Sequence, residues 1–222
     1  MIVLDLDGPV LDTRWRHYHC YSAILTTAGD EPLSQERYWQ AKRRGTTRSE
    51  LLAMTDSDHL DGAFAATWLE SIESEESLRL DGIQPGAVDV LFEWQGRGVE
   101  PTLVTARRDA QALHGQLDRL GLTPLLSRVV RTPWAHTGEL KASALRERVP
   151  DEPIGFWIGD TVVDVDAAKR VEARAVAVTC GLREREYLAR LEPWLLVRDL
   201  REAAAHPALS GSMSLTNHGA AS

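Results

Sequence analysis

Six residues in this chain have the types and positions to do chemistry together: Asp5, Asp7, Thr105, Lys141, Asp160 and Asp164. Asp5 and Asp7 close the apolar run Met1-Ile-Val-Leu-Asp-Leu6, which reads as a short buried strand stopped by Gly8-Pro9. Strand side chains alternate, so the two carboxylates share one face. Such a pair repels itself and resists leaving water, and a hard cation or a transferred electrophile relieves both costs. The chemistry this implies is Mg²⁺-dependent phosphoryl transfer; the alternative is a strand that merely ends in a polar turn.

Three later positions bear on that choice. Val99–Thr105 reads as a strand, and the Thr105 hydroxyl with the N–H groups that follow, Ala106 first, could cradle an oxyanion. Thr105 could equally cap a helix. Lys141 is one of only three lysines, with Lys42 and Lys169. It falls in the first turn of an expected helix, where the dipole disfavours a cation by about 0.3–1 kcal/mol. A negative group within its reach would explain it, as would a solvated surface position. Asp160 leaves the apolar strand Ile154–Ile158, and Asp164 follows four residues on. Thr161-x-x-Asp164 also fits a capping box, which accounts for Asp164 but not for Asp160.

The elements that must hold these residues alternate. After residue 81 the pattern predicts helices at 87–97, 109–120, 139–148, 164–171 and 184–191, with strands at 99–105, 128–131, 154–158, 175–179 and 195–197. Alternation of this kind means a parallel sheet covered by helices on both faces, with function at the carboxyl ends of the strands. Residues 14–80 break it: helices are expected at 14–28, 34–43, 48–54 and 60–72, and no strand. The expected plan is an α/β core, 1–13 with 81–206, a helical cap, 14–80, inserted after the first strand, and a flexible tail, 207–222.

Composition narrows the class. A chain of 222 residues with a net charge of −8 lacks the basic excess of a nucleic-acid binder. Cys20 and Cys180 form no metal or disulfide framework. No apolar run approaches the roughly 20 residues of a membrane helix. A soluble cytoplasmic protein without a signal peptide is expected, its partner a small phosphorylated metabolite. Oligomeric state is not legible.

Taken together, Asp5-Leu-Asp7-Gly-x-x-x-Asp12-Thr13, Thr105, Lys141 and Gly159-Asp160-x-x-x-Asp164 resemble the haloacid dehalogenase superfamily, whose fold is a Rossmann-like three-layer α/β sheet. The resemblance implies Asp5 as nucleophile, forming an aspartyl-phosphate, and Asp7 as acid/base. It implies Thr105, Ala106 and Lys141 around the phosphoryl oxygens. Mg²⁺ would be held by Asp5, the backbone carbonyl of Asp7, and Asp160, with Asp164 supporting them. An acid/base Asp two residues after the nucleophile favours phosphate esters over haloacids.

The insert resembles the cap of the phosphoglycolate phosphatase and beta-phosphoglucomutase branch. There Arg44-Gly-Thr-Thr-Arg48 would read the substrate, Gly45 letting the loop approach and Arg48 contacting a distal group; Arg48 could also be an ordinary helix-start arginine. His17 matches a hinge histidine of the mutases. Those mutases carry an acidic residue where this chain has Gly159, which leaves a phosphatase as the leading reading. A sugar-phosphate mutase and a non-catalytic metabolite sensor are the alternatives. Trp15, Tyr18, Tyr38, Trp39 and Trp68 could line a pocket or simply pack the cap, and Lys42, beside Arg43 and Arg44, reads as part of a solvated basic face.

Overall fold

The computed structural model describes residues 1–132 and 137–210. Its first half runs β1 (Ile2–Leu4), β2 (Leu11–Asp12), α1 (Arg14–Ala28), α2 (Gln35–Arg44), α3 (Arg48–Ala53), α4 (Asp61–Ser71), α5 (Glu75–Leu78) and β3 (Gly82–Ile83). The second runs α6 (Ala87–Gly96), β4 (Thr102–Ala106), α7 (Ala110–Arg119), β5 (Arg128–Thr132), α8 (Gly138–Arg148), β6 (Phe156–Gly159) and α9 (Val162–Arg170). It closes with β7 (Arg174–Val178), α10 (Arg185–Ala189), β8 (Leu195–Val197), α11 (Leu200–Ala205) and α12 (Pro207–Ser210).

Six strands form one parallel sheet in the order β5-β4-β1-β6-β7-β8. Strands buried on both faces need apolar side chains at every position, and alternate residues feed alternate layers. Leu4, Leu103 and Ile158 point to the layer of α6, α7 and α11, where they meet Leu91, Trp94, Leu117 and Ala203. Their neighbours Val3, Val104 and Trp157 point to the layer of α8 and α9, against Leu145, Val165 and Ala168. The architecture is the expected Rossmann-like three-layer fold. Because β4 and β6 flank β1 on opposite sides, the connections reverse direction beside β1, which opens a crevice at the strand ends there.

The helical insert leaves and returns through a small stem, since β2 pairs antiparallel with β3. Helices α1–α4 close around Tyr21, Leu25, Tyr38, Leu52 and Phe64. Tyr21 and Tyr38 stack with centroids 4.4 Å apart. Tyr38 and Trp39 are buried, so most of the cap aromatics serve packing, while Trp15 is exposed. Ser34 caps α2, and Thr47 with Glu50 closes a capping box on α3.

Four differences from the sequence expectation have physical causes. The stem strands are two residues each, too short for a periodicity signal. Helices α5 and α11, of four and six residues, carry too few positions for a helical period and are not expected either. Strand β4 starts at Thr102 because the Val99 N–H turns back to the Trp94 carbonyl and finishes α6. Residues 207–210, expected to be part of an aperiodic tail, form α12, with Leu209 buried against the core; residues 211–222 lie outside the described ones. Among the described residues no helix is long and apolar enough to cross a membrane.

Candidate active site

Asp5 stands one residue beyond β1, its N–H bonded to the Ile158 carbonyl of β6 at 2.9 Å. That bond carries the strand geometry one step further and fixes a buried carboxylate at the centre of the crevice. Lys141 reaches it from α8: Nζ lies 2.8 Å from Asp5 Oδ1 and 2.7 Å from Asp164 Oδ1. The first turn of α8 can approach this closely because Gly138 has no side chain; a Cβ there would lie 2.5 Å from the backbone nitrogen of Ala167 in α9. Asp164 also receives the Thr161 N–H and hydroxyl on Oδ2, so it caps its own helix and holds Lys141 at once.

Asp160 sits in a slot between two glycines. A Cβ on Gly8, whose φ is +103°, would lie 2.2 Å from the Asp160 carboxyl carbon, and one on Gly181 would lie 2.1 Å from its Oδ2. That oxygen accepts the Leu182 N–H at 2.5 Å, while Oδ1 is buried without a partner. Asp5, Asp160 and Asp164 offer carboxylate oxygens within 4.8 Å of one another. Three buried carboxylates stand together with a single ammonium, which pairs with only two of them, and one Asp160 oxygen is buried without a partner. A hard divalent cation fits both facts. The electrostatics agree. Burial pushes Asp5 up to about 7, with Asp164 and Asp7 adding to it and Lys141 opposing. Asp160 rises well above the usual carboxylate range from burial, then from Asp164 and Asp5. Burial works to lower the Lys141 ammonium, but Asp164 and Asp5 outweigh it and hold it protonated.

Asp7 is in different company. Its Oδ2 accepts from Arg16 at 2.7 Å and its Oδ1 from Arg107 at 2.6 Å. Both arginines are buried and both approach Asp81, at 3.1 Å from Arg16 and 3.8 Å from Arg107. Gln116 donates to Asp81 Oδ2, the oxygen that Arg107 approaches, at 2.7 Å. Burial works against the Asp7 carboxylate, but the two arginines outweigh it and hold its pKa below the usual range. Asp81 is pushed up to about 6 by burial, its two arginines opposing. The Asp7 side chain is therefore not among the three clustered carboxylates.

Thr105 and Ala106 end β4 on the crevice wall, a cavity of about 460 Å³ that also meets Asp5, Asp7, Lys141 and Asp160. The cap of the following helix α7 is Asp109, not Thr105. His17 enters the same cavity from α1, its ring beside Trp39 and Trp68 and its Nδ1 without a partner. Burial, with Lys42 and Arg16 nearby, lowers its pKa well below normal, so the ring is neutral.

Two expected cap contacts lie elsewhere. Gly45 ends α2 at φ +88°, and a Cβ there would lie 2.4 Å from the Tyr187 ring of α10. Arg48 pairs with Asp61 at 2.7 Å and lines a separate cap pocket. The reverse holds for Lys42. Read as part of a solvated basic face, it instead turns into the crevice, 5.7 Å from the Trp68 ring centre. Sequence reading also missed Arg16, Arg107, Asp81 and Arg183. The signal available was local: Arg107 directly follows Thr105-Ala106, and Arg16 precedes His17.

Comparison with known proteins bears on what this arrangement is. Residues 2–178 match the family model of haloacid dehalogenase-like hydrolases. The chain belongs to that family. Among curated members it is 28% identical to a phosphoglycolate phosphatase of Synechococcus elongatus, over 88% of this chain and 91% of that one. It is 26% identical to phosphoglycolate phosphatase 1 of Pseudomonas aeruginosa, over 91% and 77%. A solved haloacid dehalogenase-like hydrolase from Streptococcus pneumoniae shares the fold, with a TM-score of 0.73 at 16% identity over 92% of this chain and 96% of that one. The chain is thus an enzyme of the haloacid dehalogenase-like hydrolases, and its curated relatives are phosphatases.

Proposed function

We propose that this enzyme is a Mg²⁺-dependent phosphatase that hydrolyses a small phosphomonoester through a phosphorylated Asp5, with 2-phosphoglycolate the first ester to try because both curated relatives carry that name. The observation that carries the reading is the grouping of Asp5, Asp160 and Asp164 around Lys141 at the strand ends, with Asp7 held apart by two arginines.

Asp5 Oδ attacks phosphorus as the ester oxygen departs with its electron pair, and water then attacks phosphorus to free Asp5 and phosphate. Splitting the displacement in two lowers each barrier. An anionic nucleophile meets an anionic phosphoryl group, and Lys141 offsets that repulsion from 2.8 Å. The Thr105 hydroxyl, the Ala106 N–H and Lys141 hold the phosphoryl oxygens. Bound by Asp5, Asp160 and the Asp7 carbonyl, with Asp164 in support, Mg²⁺ would supply charge neutralisation. Arg16 and Arg107 keep Asp7 a carboxylate, the form that takes a proton from water in the second step. In the first step the leaving oxygen takes a proton that Asp7 relays from solvent, and after the second step Asp7 returns to solvent the proton it has taken from water. The helices of the cap, 14–80, enclose the reaction from above.

Gly159 favours hydrolysis over mutase chemistry. A Cβ there would lie 2.2 Å from Asp164, so the acidic residue that resembling mutases carry has no room. The test is phosphate release from a panel of phosphorylated metabolites with Mg²⁺ or EDTA, for the native protein and Asp5→Asn. Mg²⁺-dependent release lost in Asp5→Asn is expected. Equal release by both proteins overturns the mechanism, and isomer interconversion without free phosphate replaces it with the mutase.

A further inference from the structure

Two cations in the crevice have no carboxylate partner. Lys42 comes from the last turn of α2 in the cap, and Arg183 from the loop between β7 and α10 in the core; both line the cavity that holds Asp5 and Lys141. Among the described residues no carboxylate lies within ion-pair distance of either. Arg183 donates from Nη1 to the carbonyl oxygens of Lys42 and Leu182, stacks 5.1 Å from the Tyr187 ring, and leaves its buried Nε without a partner. Lys42 is flanked by the Trp68 ring and by Arg183 itself. Burial and that like-charged neighbour pull it down to about 8.

The contrast with the other crevice arginines is sharp. Arg16 and Arg107 each meet Asp7 and Asp81. Glu73, the remaining acid on the crevice rim, is occupied by the N–H groups of Arg108 and Asp109. Gathering two like charges at half-buried positions is costly without an anion between them. Next to them His17, neutral, keeps an unpartnered Nδ1. Lys42 Nζ, Arg183 Nε and His17 Nδ1 thus have no hydrogen-bond partner among the described residues, on side chains that line one cavity.

We propose that Lys42 and Arg183 form a second anion subsite, with His17 beside it, that takes a carboxylate at the far end of the phosphomonoester. It rests on the phosphatase reading for the phosphoryl end at Lys141 and Thr105. The substrate class is a short ester bearing phosphate at one end and carboxylate at the other. Because one cation belongs to the cap and the other to the core, such a ligand bridges the two.

The test is calorimetric binding, in Mg²⁺, of two inert probes of similar length: phosphonoacetate, which carries the carboxylate, and ethylphosphonate, which does not. The native protein is expected to prefer phosphonoacetate by ~10- to 100-fold, the range of charge-assisted hydrogen bonds. Lys42→Met and Arg183→Gln each reduce that preference to within ~3-fold while ethylphosphonate affinity holds, and Lys42→Arg retains it. No preference in the native protein, or equal loss for both probes in the variants, overturns the subsite. Failure to bind either probe overturns the subsite together with the phosphoryl site. No step here needs turnover. An intact preference in a protein that releases no phosphate would therefore strike the phosphatase reading and leave the subsite standing.

Discussion

Replacing Arg16 by Met tests whether the Asp7–Arg16–Asp81–Arg107 cluster is held by charge or by shape. Arg16 is 1% exposed and reaches Asp7 at 2.7 Å and Asp81 at 3.1 Å. Methionine keeps much of the stem and removes the charge, so the Asp81 carboxylate is left with Gln116 and an arginine at 3.8 Å. Breaking one side of a buried ion pair costs about 3–5 kcal/mol. The pH dependence separates causes. Asp81 has its folded pKa pushed up to about 6, above the unfolded value, so the folded state holds its proton more tightly. Protonation then stabilises the fold at low pH, and that stability is lost as pH rises from about 4 to about 6. For a rise of roughly two units this amounts to about 3 kcal/mol. Without Arg16 the charged form is worse still. Urea unfolding of the metal-free protein should show Arg16→Met costing about 3–5 kcal/mol at pH 8 and roughly half that at pH 5. Adding Asp81→Asn to it should recover about 2 kcal/mol at pH 8. A cost that is the same at both pH values and unmoved by Asp81→Asn would refute the electrostatic account and leave Arg16 as a volume filler.

Three further outcomes follow from the site. Gly8→Ala forces a left-handed φ of +103° on a Cβ that meets the Asp160 carboxyl carbon at 2.2 Å. It should lower Tm by several degrees and abolish the upward thermal shift expected when Mg²⁺ is added to the native protein; a retained shift counts against Asp160 as a ligand. Asp5→Asn removes a carboxyl whose folded pKa is about 7, so the metal-free native protein loses stability as pH rises from about 4 to about 7 and the variant should lose less. Urea midpoints at pH 5 and pH 8 in EDTA check it, and identical slopes reject it. The Cys180 thiol is pushed up to about 12 by burial, with Asp160 and Asp199 adding. Iodoacetamide at pH 8 should therefore alkylate it at least ~100-fold more slowly in the folded protein than in urea.

The parts of the fold that were legible in the sequence are those written in local pattern. Short apolar runs ahead of Asp5 and Asp160, and the β-prone stretch Thr102-Leu-Val-Thr105, mark the three central strands, because a parallel strand buried on both faces favours apolar and β-branched residues. The Lys141 position was legible for a related reason: a cation in a helix first turn is out of place until a carboxylate explains it. What stayed hidden depends on residues distant in sequence meeting in space. Arg16 and Asp81 are 65 positions apart, on opposite arms of the stem. Lys42 lies within Lys-Arg-Arg, which has the composition of a solvated face, and only the packing of α2 against the 179–184 loop turns it inward. Arg48 is the converse case: a glycine loop followed by arginine reads as a substrate contact, while in the fold Asp61 from another helix pairs with it.

The 179–184 loop holds both the helical insert and Asp160, the proposed metal ligand. Leu182 donates to Asp160, Arg183 and the Glu184 N–H hold the carbonyls of Lys42 and Arg43, and Arg43 returns a bond to the Thr179 carbonyl at 2.6 Å. Any movement of the 14–80 insert away from this loop would break three hydrogen bonds on one strip of chain, and the strip is the one that steadies Asp160. Traffic through the crevice and the steadiness of the catalytic centre are therefore not independent. A movement that opened the crevice would loosen the hold on Asp160 as well, so access to the site and the order of its carboxylates hang on one loop.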